Sequence, residues 1–277
     1  MSFTLMALLA AVFGAIEYVL ARQLLKYFRP NQFVILGFFI VLVVLLIFSP
    51  FFYFFKLTLI SIGLLILMAL IDTGANYFYF KTLEKSEASI AAPVLSLAPG
   101  FTFLLGWLFI GDMVSVRTYF LAGLIIFLVI LFSIDFKNFK KFRVNTLAPA
   151  LASSFLFGVS AIPAKILLTN LAAINGATLY MLRAGLIMTF AFFLFGFSFK
   201  NIKVKHLPLF IVQNVMAIIQ WILLYGALAK GNAGVTLTLM NTAPIFVFFL
   251  SVIFLREKPT LKKLLASALI LGLSFII

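Results

Sequence analysis

The sequence predicts an all-α membrane protein with ten transmembrane helices, arranged as two inverted five-helix repeats. Apolar residues make up 65% of the 277 residues and charged residues only 10%, whereas a soluble domain has about 45–50% and about 25%. The apolar residues form a nearly unbroken series of long segments, and the stretch 83–112 recurs at 228–257. The excess of apolar surface predicts a lipid environment, and the recurrence predicts two related halves.

Five apolar segments fill the first half of the chain. A spanning helix needs about 20 residues to cross roughly 30 Å of hydrocarbon, and charges, prolines and polar clusters mark its ends. The predicted segments 1 to 5 cover residues 2–25, 32–48, 57–80, 88–110 and 116–134. The breaks after the first four are Lys26 to Pro30, Ser49-Pro50, the charged run 81–85 and Gly111-Asp112. The first segment is too long for a signal-peptide core and has no basic leader, so we expect it to be retained.

Five further segments fill the second half. The most basic loop, 135–145, separates them from the first five, and a second basic loop carries Lys200, Lys203, Lys205 and His206. The predicted segments 6 to 10 cover residues 146–169, 176–197, 207–229, 234–255 and 261–277. No loop is long enough for a separate domain, so any site must lie inside the bundle or at its mouths.

The repeat sets the domain organisation. At a shift of 145 residues, nine of the thirty positions in 83–112 and 228–257 are identical, and Asp112 aligns with Glu257. A weaker match at a shift of 144 joins Phe13-Gly14 to Phe157-Gly158. We therefore expect two domains, residues 1–135 and 146–277. Because each unit contains an odd number of crossings, the halves are expected to insert in opposite orientations, as in many secondary transporters.

Pro99 and Pro244 occupy matched places in segments 4 and 9. A proline inside a helix removes one backbone hydrogen bond and kinks the helix. The two positions are therefore hinge candidates that widen or narrow a central cavity, and the alternative is a static kink.

The motifs resemble the EamA-type members of the drug/metabolite transporter superfamily. They are Phe13-Gly14, residues 80–93, Leu97-Ala98-Pro99 and 107–112, and in the second half 224–233, Ala243-Pro244 and 254–257. The resemblance covers both halves and implies a ten-helix inverted-repeat bundle that exports amino acids, other metabolites or drugs. The first half departs from the pattern, because segment 2 has no arginine matching Arg183.

Glu17 in segment 1 is the leading functional candidate. A charge at the centre of the bilayer costs roughly 3 kcal/mol, so such residues face the bundle interior, form pairs or line water. A carboxyl group in such a site can take up and release a proton, as proton-coupled export requires. The alternative is a buried pair of Glu17 with Lys165 or Arg183.

Other polar residues complete the predicted substrate or proton pathway: Asp72, Asn76, Arg183, Gln220, Trp221 and Asn241. Asp72 and Asn76 are four residues apart and share one face of segment 3. They could bind a substrate amine or hydroxyl group, and the alternative role is hydrogen bonding between helices. Gln213 and Asn214 lie early in segment 8, where we expect them near its mouth.

The composition excludes several other functions. The chain has no cysteine, which excludes disulfides and thiolate chemistry. It has one histidine and no acidic cluster, so we expect neither a metal site, a cofactor nor an enzyme. The net charge of +14 lies in short loops between apolar segments, as membrane topology requires, and predicts no nucleic-acid binding. No glycine-rich nucleotide loop is present, so ATP hydrolysis by this chain is not expected.

The sequence therefore predicts a secondary transporter that exports small organic metabolites, such as amino acids or drugs, by alternating access, driven by a proton or by the solute gradient. Uptake carriers and facilitators of the same fold are alternatives, as are, with less support, a channel and an integral-membrane enzyme. One chain supplies both halves, so we expect a monomer, in a prokaryotic cytoplasmic membrane. The loops after segments 1, 3, 5, 7 and 9 carry most of the lysines and arginines, which puts both termini outside the cell, whereas the family resemblance implies termini inside.

Overall fold

The chain is helical throughout the part that the computed structural model describes, which comprises residues 1–85, 94–133, 144–198, 202, 204–255 and 261–277. An isolated antiparallel bridge joins Phe55 to Ile174. The prediction of an all-α protein is confirmed. Within the described residues, seven helices are long and apolar enough to cross a membrane, and Ala98–Ile110, Val116–Leu131 and Ser267–Ile276 are shorter apolar helices.

The helices of the first half end near the predicted breaks, but the fourth begins at Ala98, ten residues after the predicted start of segment 4. They are α1 (Phe3–Leu24), α2 (Pro30–Phe48), α3 (Leu59–Lys85), α4 (Ala98–Ile110) and α5 (Val116–Ser133). Ser2 caps α1, because its side chain accepts a hydrogen bond from the backbone N–H of Leu5. Gly111 ends α4 in the left-handed region at φ 62°, a conformation that glycine adopts without steric cost.

The second half contains six helices: α6 (Val144–Lys165), α7 (Gly176–Phe195), α8 (Leu207–Leu228), α9 (Ala233–Met240), α10 (Ala243–Leu255) and α11 (Leu261–Ile276). A π-helical turn, Ile166–Asn170, extends α6. Asn175 and Asn232 cap α7 and α9 through their side chains. The ninth predicted segment is therefore two helices, α9 and α10.

The two prolines do not kink continuous helices, which corrects the prediction made for Pro99 and Pro244. Each lies in the first turn of a helix that starts after a two-residue turn, Ser96-Leu97 before α4 and Asn241-Thr242 before α10. The first turn is where a missing backbone N–H costs least, because that group has no partner within the helix. Proline therefore starts a new helix here.

The halves match in detail. Helices α4 and α10 have identical bounds at a shift of 145 residues, and α5 and α11 start at positions related by the same shift. The Asn31 side-chain amide donates to the carbonyl oxygen of Gly196 (3.0 Å), and that of Asn175 donates to the carbonyl oxygen of Phe52 (2.6 Å). Both the donors and the acceptors of these two bonds are 144 residues apart. One bond links the start of α2 to the residue after α7, and the other links the start of α7 to the segment after α2.

Helix packing follows the same pattern. The most extensive contacts join α1 to α8 and α3 to α6, and α2 packs along α7. Helix α6 is the counterpart of α1, and α8 is the counterpart of α3. The α1–α8 contact and the α6–α3 contact are therefore equivalent in the two halves. Helix α4 contacts α9, and α5 contacts α11. The centre of the bundle is thus shared between the two halves.

Contacts between helix termini define two ends of the bundle. At the Lys165 end, the Lys165 ammonium group donates to the carbonyl oxygen of Leu228 at the C-terminus of α8 (2.8 Å). At the His206 end, Tyr27 after α1 stacks on His206 before α8, with ring centroids 3.8 Å apart. Ile277 packs on a hydrophobic cluster formed with the starts of α1 and α9. Both ends of the chain therefore lie at the Lys165 end.

An aromatic cluster fills the bundle towards the His206 end. Phe210 is fully buried and packs on Phe28 and Phe33, with ring centroids 4.8 Å apart in each pair. Phe33 also contacts Phe80 at 4.4 Å. This cluster holds the C-terminal end of α1 and the start of α8 against α2 and α3.

Candidate functional site

A cavity of about 730 Å³ lies inside the bundle. Helices of both halves line it: α1, α2, α3 and the start of α4 from the first half, and α6, α7, α8, α9 and α10 from the second. Its polar lining residues are Glu17, Asn76, Ser96, Ser160, Gln213, Asn214, Gln220 and Asn241, and its aromatic ones include Tyr18, Tyr79, Phe157, Tyr180, Trp221 and Tyr225. Small side chains, such as those of Gly14, Gly37, Ala161 and Ala217, leave the space that the cavity occupies.

Glu17 lines this cavity and is 7% exposed. Its Oε1 atom accepts a hydrogen bond from the Gln213 side-chain amide, 2.7 Å away. The contact joins α1 to α8, the most extensive helix pair of the bundle. Lys165 and Arg183, the predicted alternative partners of Glu17, instead bind backbone carbonyl groups and Asp72.

Gln213 and Asn214 are buried, 2% and 4% exposed, and line the cavity. The expectation that they lie near the mouth of a helix is therefore wrong. Gln213 and Gln220 are seven residues apart, two helical turns, and so share a face of α8. That spacing is the signal in the sequence that could have grouped them. Their Oε1 atoms have no hydrogen-bond partner within the described residues.

Asp72 and Arg183 form a buried ion pair between α3 and α7. The Arg183 Nε atom donates to Asp72 Oδ2 at 2.5 Å, and the side chains are 0% and 1% exposed. Neither residue is among those that line the cavity in the described part of the chain. The predicted placement of Asp72 in the pathway is thus not supported, and its alternative role, a link between helices, fits the geometry. The neighbouring Asn76 does line the cavity, and its amide donates to the Asp72 carbonyl oxygen.

Arg183 packs against Trp221, which lines the cavity. The Arg183 guanidinium carbon lies 4.1 Å from the centre of a Trp221 ring, within cation–π distance. Trp221 also stacks on Tyr180 at 5.9 Å and contacts Tyr225 at 5.6 Å. Arg183 and Trp221 were predicted site residues, whereas the two tyrosines were not. Tyr180 lies three residues before Arg183 and Tyr225 four after Trp221, which are same-face spacings.

The prolines and Asn241 belong to the breaks beside the cavity. Pro244 and Asn241 line it, whereas Pro99 is buried and the adjacent Ala98 lines the wall. The Asn241 amide donates to the carbonyl oxygen of Leu237, one turn earlier. Both interrupted segments therefore contact the cavity at their breaks.

Polar contacts join helix termini at the Lys165 end of the bundle. The Lys165 ammonium group donates to the carbonyl oxygens of Leu228 (2.8 Å) and Gly231 (2.6 Å). The Asp112 carboxylate accepts from the backbone N–H of Ala233 (2.8 Å), the first residue of α9. Helix C-termini attract cations and N-termini attract anions, so both charges complement the helix ends that they bind.

No group of three or more potential metal ligands among histidine, aspartate and glutamate side chains occurs within the described ranges. The polar groups of the cavity are amides, hydroxyls and one carboxyl group. Such a set suits hydrogen bonding to an organic solute better than the chemistry of a metal centre.

Comparison with known proteins identifies the family. The sequence model of the EamA-like transporter family matches residues 1–134 and 146–277. The chain belongs to the EamA-like transporter family. It is therefore an integral, multi-pass membrane protein of a transporter family, as the motifs predicted. The two matched ranges correspond to the two halves of the bundle.

Two further similarities are informative. An uncharacterized protein of Methanocaldococcus jannaschii, MJ1333.1, is 35% identical over 77 residues, which is 27% of this chain and 56% of that protein. This chain thus spans about half the length of the curated relative. A solved chain described as "Crystal structure of protein" aligns with a TM-score of 0.75 at 17% identity, over 99% of this chain and 95% of that chain. That similarity supports the fold alone.

Proposed function

We propose that this EamA-like protein is a secondary active transporter that moves small organic metabolites, such as amino acids or drugs, by alternating access. The observation that carries the proposal is the cavity of about 730 Å³, which lies inside the bundle and is lined by helices of both halves. A volume of this size suits a small organic molecule. Rocking of one half against the other would expose such a site to each side in turn.

The architecture we propose is ten transmembrane helices in two inverted five-helix repeats. The reciprocal hydrogen bonds of Asn31 and Asn175 support it, because they link the starts and ends of α2 and α7 in a crossed pattern. Two helices so linked are antiparallel, and they are counterparts in the repeat. The matched packing of α1 on α8 and of α3 on α6 adds to this support.

Proton coupling is assigned to Glu17. It is the one carboxylic acid among the lining residues of the cavity, and Gln213 orients it with a single hydrogen bond. A proton and a positively charged or hydrogen-bond-donating solute would compete for its oxygen atoms. That competition is what an exporter needs to exchange protons for solute. Uptake and facilitated diffusion are the alternative directions, and a monomer in a prokaryotic cytoplasmic membrane is the proposed context.

Transport is tested in liposomes with a panel of labelled amino acids and cationic dyes, with and without an imposed pH gradient. We expect saturable flux of at least one compound and acceleration by the gradient. The Glu17→Gln variant should keep basal exchange of the solute but lose the acceleration, because its amide cannot carry a proton.

Glu84→Gln is the matched control, since Glu84 is an exposed acid towards the His206 end and outside the cavity. It should behave as the unmodified protein. Equal acceleration by the gradient in Glu17→Gln would remove the proton-carrying role, and absence of flux for every compound would count against transport of these solute classes.

A further inference from the structure

Arg183 has more hydrogen-bonding capacity than its surroundings use. The guanidinium group is fully buried, and its bond to Asp72 engages only Nε. Its two terminal nitrogens, Nη1 and Nη2, have no hydrogen-bond partner within the described residues. Unpaired buried donors are costly, above all when charged. The arrangement leaves free the pair of parallel donors that binds a carboxylate most specifically.

A second unused donor lies beside the first. The Tyr225 side chain lines the cavity, and its buried hydroxyl group has no hydrogen-bond partner in the described part of the chain. The Tyr225 hydroxyl lies beside the Arg183 side chain and interacts with it, but neither this hydroxyl nor the two terminal nitrogens of Arg183 reach full hydrogen-bond geometry with a partner in the described residues. Trp221 contacts both residues and lines the cavity.

We infer that Arg183 and Tyr225 form an anion subsite of the cavity, which binds the carboxylate of an aromatic or apolar organic acid when the Trp221 side chain rotates aside. The two terminal nitrogens of Arg183 donate to the carboxylate oxygens, and the Tyr225 hydroxyl adds a third donor. The displaced indole and the rings of Phe157 and Tyr180 then pack on the apolar part of the solute.

The unused donors of the subsite suit an acid better than an amide. Asp72 accepts a hydrogen bond from Nε of Arg183 only, and its Oδ1 atom and the two terminal nitrogens of Arg183 have no hydrogen-bond partner within the described residues. An amide of the same shape would present one acceptor oxygen and a competing donor group. The subsite therefore distinguishes acids from amides, whereas a merely structural Arg183–Asp72 pair would not.

The experiment measures binding through Trp221. The chain contains two tryptophans, and Trp107 is 50% exposed outside the cavity. In Trp107→Phe protein reconstituted in nanodiscs, Trp221 is the remaining indole, and its emission reports on the cavity. The probes are 3-phenylpropanoate and 3-phenylpropanamide, which share one shape and differ in charge. We expect a saturable emission change with the acid at a Kd at least about tenfold below that of the amide.

Two variants locate the preference. Tyr225→Phe and Arg183→Lys should each weaken binding of the acid by about tenfold and leave binding of the amide unchanged. Tyr53→Phe is the matched control, because Tyr53 is 54% exposed and lies outside the residues that line the cavity, so it should not alter the preference. Thermal unfolding of each variant in the same nanodiscs verifies that it is folded, and Tyr225→Phe keeps the ring that packs on Trp221.

Equal affinity for acid and amide, a preference retained in both variants, or no saturable response to either compound would each overturn the inference. The inference rests on the proposed function only in taking the occupant of the cavity as the transported solute. Binding of the acid without flux in liposomes would therefore refute transport but support the anion subsite. Flux without a preference for the acid would support transport but refute the anion subsite.

Discussion

At the scale of single residues, the sequence identified the polar side chains of the bundle but not their partners. The alternative considered for Glu17 was a pair with Lys165 or Arg183, and Glu17 instead accepts a hydrogen bond from Gln213. Asp72 and Arg183 were named separately, and the structure joins them across 111 positions. Spacing along one helix shows which residues share a face. It does not show how that helix is rotated against its neighbours, and that rotation decides which side chains meet.

Gly158 is required by close packing between α6 and α4. A Cβ atom at this position would lie 2.7 Å from the Phe101 Cβ atom and 2.9 Å from the Ala98 carbonyl oxygen. Neither atom can move without shifting α4. We expect Gly158→Ala to lower the free energy of unfolding by about 1–3 kcal/mol, measured by denaturant titration in detergent micelles.

Gly123→Ala is the control for that variant, since a Cβ atom there meets nothing within 4 Å. Alanine is the better helix former, so stability should stay the same or rise by less than about 1 kcal/mol. A similar loss in both variants would show that the close approach at Gly158 is not the cause.

Lys165 stabilises the junction of α8 and α9. Its ammonium group binds two carbonyl oxygens that no helical N–H satisfies. Lys165→Met keeps most of the aliphatic chain but removes both bonds, and should lower the free energy of unfolding by about 2 kcal/mol. Lys230→Met removes an exposed ammonium group with one long contact of 3.5 Å, so it should change stability by less than about 0.5 kcal/mol. Equal effects in the same titration would refute the role of Lys165.

At the scale of helices, hydropathy located the spanning segments but not their interruptions. The seventh segment, predicted at 176–197, is the helix Gly176–Phe195. The ninth, predicted as one helix, is divided at Asn241-Thr242. An apolar run has the same hydropathy whether the backbone is continuous or turns. The only local signal for the interruption was Ala-Pro at matched positions, which fits a kink as well as a helix start.

The position of Pro244 in the first turn of α10 predicts a small effect of its replacement. Pro244→Ala restores an N–H that a first-turn residue does not use within the helix, so stability should fall by less than about 1 kcal/mol. A proline that kinked a continuous helix would cost about 3 kcal/mol, and its removal would stabilise the protein instead. Pro99→Ala should behave in the same way. A clear rise in the unfolding midpoint of either variant would contradict the described helix starts.

At the scale of the whole molecule, the repeat predicted the plan that the helices follow. The recurrence of 83–112 at 228–257 corresponds to α4 and α10, whose bounds match at the same shift. The residues 86–93 and 256–260, which include Glu257, lie outside the described part of the chain. The cavity was expected from the fold class alone. Its lining followed from no sequence pattern, because it depends on where α1 and α8 leave space beside small residues.

The distribution of basic residues between the two ends of the bundle predicts its orientation in the membrane. The His206 end includes Arg22, Lys26, Arg29, Lys81 and Lys205, whereas the Lys165 end has Lys56, Arg117, Lys165 and Lys230. Both chain ends lie at the less basic Lys165 end, so the positive-inside rule puts them outside the cell. Alkaline phosphatase fused after Ile277 should be active, and a fluorescent protein fused there should stay dark. The opposite result would show that family precedent, with both termini inside, outweighs the charge bias.

The scaffold repeats, but the ionisable residues buried inside the bundle do not. The positions that correspond to Glu17 and Arg183 at a shift of 144 are Ala161 and Phe39, and the position that corresponds to Asp72 at a shift of 145 is Ala217; Ala161 and Ala217 line the cavity. If the two halves were identical in sequence, the conformation open to one side of the membrane and the conformation open to the other side would have nearly equal energies. Because Glu17, Asp72 and Arg183 have no ionisable counterparts, they would lower the energy of one conformation relative to the other. The preferred direction of transport in such a molecule would then depend on very few residues, and few substitutions would reverse it.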